Sequence, residues 1–68
     1  REDTLIPVGI GEGSVLKNII VDKNARIGKN TKLVNMHNID FTQTENYTIK
    51  QGIIIIPKGV VIPNGFEI

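Results

Sequence analysis

The sequence predicts an all-β chain, a solenoid of short strands wound into stacked triangular coils, and three observations carry that reading. Aliphatic anchors recur at every sixth residue, through Val21, Ile27 and Leu33 and again through Ile56, Ile62 and Ile68. A helix face repeats every three or four residues and a half-buried strand every two, so a step of six means one inward side chain per short strand, then a corner. The position four after an anchor reads Ser14, Ile20, Ala25, Thr31 and Val60, small or aliphatic as an inner corner requires, with Phe66 the bulky exception. Glycine follows the anchor at Ile10-Gly11 and Ile27-Gly28, where the chain bends and a Cβ would cost most. Together these are the marks of a hexapeptide-repeat β-helix.

Taken in order, residues 1–7 read as an extended lead-in, with Leu5 and Ile6 apolar before Pro7. Residues 8–37 carry the regular repeat, with Val, Ile and Thr at the strand positions that a pleated, half-buried surface favours. Leu16 lies six after Ile10, but Val21 only five after Leu16, which predicts one tighter corner. The period is lost in the polar stretch of residues 38–51. The expected structure there is one loop extruded between coils, with Phe41 and Tyr47 pinned back against the prism. A short helix is the competing account, which Thr42, Thr44 and Thr48 disfavour. Asn46-Tyr47-Thr48 matches the N-glycosylation triplet, which polar loops often produce by chance. Gly52 reopens the repeat, and residues 53–56 form a four-isoleucine run suited to a buried strand. Pro57 and Pro63 each follow an anchor, where a missing N–H need not break a ladder. Asn64-Gly65 is a turn signal.

Composition narrows the function classes. Sixty-eight residues allow one small domain. At this size ordering entropy of about 1.5 kcal/mol per residue nearly cancels burial. A short β-helix is worse placed, because each coil buries itself only against its neighbours. The chain opens on Arg1-Glu2-Asp3 without an initiator Met. The expectation is a piece of a longer chain, whose further coils or domain cover the first turn. A net charge of +1 without a basic run gives no argument for nucleic acid. Cysteine is absent, which rules out a disulfide scaffold or a thiolate metal site within these residues. No stretch approaches the ~18 apolar residues of a membrane-spanning helix.

Candidate chemistry is sparse. His37 is the single histidine. In β-helical acyltransferases a histidine at the face between subunits acts as general base. No partner residue for it is visible in the sequence, and an ordinary polar residue at the loop margin accounts for it. A zinc site of three histidines is out of reach for a chain with one. The carboxylates Glu2, Asp3, Glu12, Asp22, Asp40, Glu45 and Glu67 are scattered, and none pairs at acid/base spacing. The glycines of residues 9–13 sit in the repeat register and read as corners, not as a phosphate loop. The cations hold more interest. Lys23 and Arg26 flank Asn24-Ala25, Lys29 and Lys32 follow, and Lys58 lies in the last repeat. On a rigid prism, corresponding positions of neighbouring coils come within about 5 Å. Such cations form either a solvated outer face or a grip for a small polyanion, with Arg bidentate and Lys a point charge.

The residues IIVDKNARIGKN, a polar insertion, and YTIKQGIIIIPKGVVIPNG closely resemble the C-terminal end of the ADP-glucose pyrophosphorylases (glucose-1-phosphate adenylyltransferases) of the plant and cyanobacterial type. The resemblance covers nearly all of the chain and is carried by DKNARIG with the downstream IKxGI and IPxG. It departs in residues 35–44, which include Phe41, and at Pro57, where the family has an apolar residue. The resemblance implies a left-handed parallel β-helix spanning residues 1–68, with an insertion loop at about 38–51. The parent enzyme would make ADP-glucose and pyrophosphate from ATP and glucose 1-phosphate with magnesium, for starch or glycogen, on an N-terminal catalytic domain absent here. This segment would carry no catalytic residue and no cofactor of its own. Its implied roles are to join subunits of a homo- or heterotetramer and to contribute to an effector site for 3-phosphoglycerate and phosphate. Lys23 and Lys58 align with the two activator-linked lysines of the family, and Arg26 lies beside Lys23. The implied location is the plastid for a plant protein and the cytoplasm for a cyanobacterial one. Two rivals stand beside this: a non-catalytic β-helix scaffold of another sugar-nucleotidyltransferase-like protein, and a fragment of a hexapeptide acyltransferase.

Overall fold

The computed structural model describes residues 6–68, so most of the expected lead-in, residues 1–5, lies outside the described residues. The described residues form short strands and no helix: β1 (Gly9–Ile10), β2 (Val15–Leu16), β3 (Ile19–Val21), β4 (Arg26–Ile27), β5 (Lys32–Leu33), β6 (Phe41–Gln43), β7 (Thr48–Lys50), β8 (Ile53–Ile56) and β9 (Val61–Ile62). Three parallel ladders make the walls of a prism. β1, β4 and β9 stack on the first wall, β2 and β5 on the second, and β3 and β8 on the third. A bridge between Lys32 and Glu67 carries the second wall into the last coil.

The register sets anchor upon anchor. Ile10 pairs with Ile27 and Ile27 with Ile62, Leu16 with Leu33, and Val21 with Ile56. Burial falls off at the first coil, which has no coil beneath it among the described residues, whereas Ile62 of the last coil is as fully buried as the anchors of the middle one. Ile27, Leu33 and Ile56 are fully buried, whereas Ile10 of the first coil is 57% exposed. Corners recur at the same pitch. Asn18, Asn24 and Asn30 take left-handed backbone at φ 52°, 60° and 55°, and Gly59 and Gly65 do so in the last coil. Asparagine is among the few L-residues that adopt this conformation readily, and glycine adopts it at no steric cost.

Three sequence expectations need correction. The excursion at 38–51 is not a loop but a β-hairpin. β6 and β7 pair antiparallel, and β7 pairs antiparallel with β8, widening the third wall to four strands. Alternation supplies the reason: Ile49 points inward and is fully buried against Ile54, with polar neighbours on either side. Gln51 and Gly52, both at positive φ, close the two-residue turn from β7 to β8, the type I′ geometry that matches strand twist. Asn35 ties the entrance of the hairpin to its exit, donating to the carbonyls of Ile39 and Gly52 at 2.8 and 3.3 Å.

Phe41 is 60% exposed and not pinned to the prism. It stands on the edge strand β6 opposite Lys50, on the outward side. Tyr47 does pack back, edge-on to Phe66 with ring centroids 6.3 Å apart. Ile20 is 57% exposed rather than internal. The five-residue step explains this: the inner position lies two before the next anchor, so the tight Lys17-Asn18 corner hands it to Ile19, which pairs with the buried Ile54.

The small inner positions do more than fill space. Thr31, 1% exposed, donates its hydroxyl to Ser14 Oγ at 2.8 Å and its N–H to the same oxygen at 3.2 Å. Ser14 in turn donates to the Gly28 carbonyl at 3.0 Å. Ser14→Ala therefore strands two donors of Thr31, and is expected to cost about 1–3 kcal/mol. Adding Thr31→Val removes one of the stranded donors and should recover much of that loss when both variants are titrated with urea. No recovery would show that the hydroxyl pair is not what Ser14 supports.

Candidate functional site

The corner between the third and first walls gathers the predicted cations. Residues 22–25 turn there in the second coil and residues 57–60 in the third, each closed by a backbone bond, Ala25 N–H to Asp22 O and Val60 N–H to Pro57 O. Lysine occupies the second position of both turns, and the left-handed Asn24 or Gly59 follows it. The turns lie one directly on the other: Gly59 N–H donates to the Lys23 carbonyl at 3.1 Å, and Asp22 N–H to the Ile56 carbonyl at 2.9 Å. Lys23 and Lys58 are thus corresponding residues of adjacent rungs, and both are exposed.

The two lysine backbones lie about one strand spacing apart, and like charges on neighbouring rungs raise the local potential. Asp22 shares the turn, its Oδ1 accepting the Lys23 backbone N–H, and its negative charge offsets part of that potential. Arg26 starts from the adjoining wall. It is half-buried, and its Nη1 donates to the Ile6 carbonyl at 2.8 Å, so it fastens the entry of the chain. Lys29 belongs to a different corner, stacked with Glu12 and Asn64, and Lys32 projects from the second wall. His37 is exposed on the turn that leads into the hairpin. Among the described residues no three His, Asp or Glu side chains come together to hold a metal ion.

The pairing of Lys23 with Lys58 is a 35-residue register that the six-residue count alone does not give, because the hairpin interrupts it. One signal for it was present: DKNA and PKGV are the same turn, lysine followed by a residue that tolerates left-handed backbone.

Triangular coils, anchors on anchors and corners at a six-residue pitch define a hexapeptide-repeat β-helix. The chain belongs to the GLGC left-handed parallel β-helix domain family, whose model matches residues 1–66. The hand of the coil is therefore left, and the resemblance to the ADP-glucose pyrophosphorylases holds at the level of the domain. The chain is similar to the inactive glucose-1-phosphate adenylyltransferase small subunit 2, chloroplastic, of Arabidopsis thaliana, at 49% identity over 61 residues. That match takes in 87% of this chain and 13% of the relative, so the chain spans a small part of the relative's length.

Proposed function

We propose that this chain is the regulatory and assembly domain of a glucose-1-phosphate adenylyltransferase, and that Lys23 and Lys58 bind a small phosphate-bearing anion at their shared corner. The observation that supports the reading is the stacked pair of turns, which sets the backbones of two exposed lysines on neighbouring rungs. The anions proposed are 3-phosphoglycerate as activator and phosphate as inhibitor. Arg26 is a supporting group, held by its bond to Ile6. Synthesis of ADP-glucose from ATP and glucose 1-phosphate would be the work of the rest of the parent chain. Magnesium would act there too. The exposed walls would meet other subunits of a tetramer, and the relative's chloroplastic name supports a plastid location.

Regulation on this reading is a bistable arrangement of domains biased by the anion, not chemistry on these side chains. In the full-length parent, Lys23→Ala or Lys58→Ala removes one charge-assisted contact worth about 1.5–3 kcal/mol, so half-maximal activation should need roughly ten- to a hundredfold more 3-phosphoglycerate. The unactivated rate should stay unchanged. Wild-type activation of both variants would refute the assignment.

One observation favours a second reading, a scaffold subunit without activity: the relative that this chain matches is itself named inactive. The sequence upstream separates the two. An intact glycine-rich nucleotide motif with a metal-binding aspartate marks the enzyme, and a degenerate one marks the scaffold.

A further inference from the structure

The corner between the first and second walls holds a reactive dipeptide that neither reading uses. Asn64-Gly65 is the one Asn-Gly pair in the chain; the other asparagines precede Ile, Ala, Thr, Met or Tyr. A glycine amide nitrogen, with no Cβ beside it, reaches the preceding asparagine's Cγ more easily than any other residue's. Attack forms a five-membered succinimide and expels the side-chain nitrogen.

Here both reacting groups are held by one residue of the coil below. Lys29 N–H donates to Asn64 Oδ1 at 2.8 Å, and Gly65 N–H, the nucleophile's own bond, donates to the Lys29 carbonyl at 2.9 Å. The Asn64 side chain is seated over Gly28, where even a Cβ would come within 2.5 Å of its Oδ1. The turn is closed by Phe66 N–H on the Pro63 carbonyl at 3.3 Å. Asn64 and Gly65 are both exposed, so water and base reach them freely. What withholds reaction is the pairing with Lys29.

We propose that Asn64-Gly65 is a deamidation site that the stacked coil keeps closed and that opening of the third coil exposes. In the open coil the Gly65 nitrogen gives up its proton to solvent base and bonds to Asn64 Cγ. The Cγ–Nδ2 bond breaks, and ammonia leaves with a proton. Water then opens the ring at either carbonyl. The net change is one water consumed and one ammonia released, with no redox step. Opening one way gives aspartate, whose oxygen still accepts from Lys29. Opening the other way gives isoaspartate, which inserts a methylene into the backbone of the corner. A corner one atom longer cannot return Gly65 N–H to Lys29 O while Ile68 N–H stays on Lys32 O, so a coil that has opened and formed isoaspartate does not restack, whereas the aspartate product does. Through its isoaspartate branch the dipeptide therefore turns transient opening into a permanent one.

The test is to incubate the chain at one pH and temperature in plain buffer, in sub-denaturing guanidinium and in fully denaturing guanidinium. Tryptic peptides are then followed by mass spectrometry, with isoaspartate resolved by chromatography. Reaction at Asn64 in buffer should run at least about tenfold slower than in the denatured chain, because it waits on local opening. It should quicken in guanidinium below the global unfolding transition seen by circular dichroism. Gly28→Ala, which lifts Asn64 from its seat, should bring the rate in buffer close to the denatured rate; should that variant not fold, the wild-type comparison decides alone. Equal rates in buffer and denaturant, no reaction in the denatured chain, or acceleration only with global unfolding would each overturn the proposal.

Discussion

Ile27→Ala is expected to remove most of the stability of this chain. Ile27 is 1% exposed on β4, with Ile10 on the rung below it and Ile62 on the rung above. Truncating a buried isoleucine costs about 2–5 kcal/mol, the larger values where the cavity cannot collapse. Collapse is hard here, because the backbones on both sides are pinned by ladder bonds: Gly11 N–H on Ile27 O and Gly28 N–H on Ile62 O, each at 2.8 Å. At roughly 0.05–0.15 kcal/mol per residue, a chain this short holds only a few kcal/mol in total. The comparison that isolates the mechanism is Ile10→Ala, the same anchor one rung down and 57% exposed. It should cost under about 1 kcal/mol, because far less apolar area returns to water. Denaturant midpoints for the two variants should differ widely, and matching midpoints would mean that burial in the stack is not what the anchors provide.

That gradient bears on what the sequence could reveal. The anchors, their six-residue pitch and the tight corner at Lys17-Asn18 were all legible, since one solenoid coil constrains its own residues and little else. Gly11 and Gly28 were legible as well, although for a reason of stacking rather than of backbone freedom: a Cβ on Gly11 would meet the Gly28 carbonyl group. The hairpin was not legible. Thr42 and Ile49 face one another, and β8 binds both the coil below and the hairpin beside it; such two-sided pairing leaves no six-residue trace. Ile20 was misplaced because a one-residue slip inverts every side chain of a strand. For the candidate site, the residue types were visible in Lys23 and Lys58, but their adjacency depends on a register set across the hairpin. Arg26 shows the converse. It reads as a free cation in sequence, and the fold commits one of its nitrogens to Ile6.

Gly28→Ala should detach the third coil while leaving the first two in place. Gly28 is buried with ordinary backbone, so any cost of the substitution is steric. Its Cβ would lie 2.6 Å from Asn64 N and 2.5 Å from Asn64 Oδ1. A side chain can rotate away, but the backbone nitrogen of the next rung cannot without lifting the corner. Overpacking of this kind costs about 1–3 kcal/mol, and the solenoid concentrates it on a single interface between rungs. Gly52→Ala is the opposite case, with open space around the Cβ and φ at +79°. It should cost about 1 kcal/mol through backbone preference alone, and its effect should stay in the hairpin turn. Amide exchange tells the two apart. In Gly28→Ala the amides of residue 28, Lys29, Gly65 and Ile68, which bond across the second and third coils, should lose protection. Those of Gly9, on Ala25 O, and Val15, on Thr31 O, should keep theirs. If exchange rose evenly in all three coils, the rungs would be one cooperative unit, and the nearest-neighbour account of this prism would be wrong.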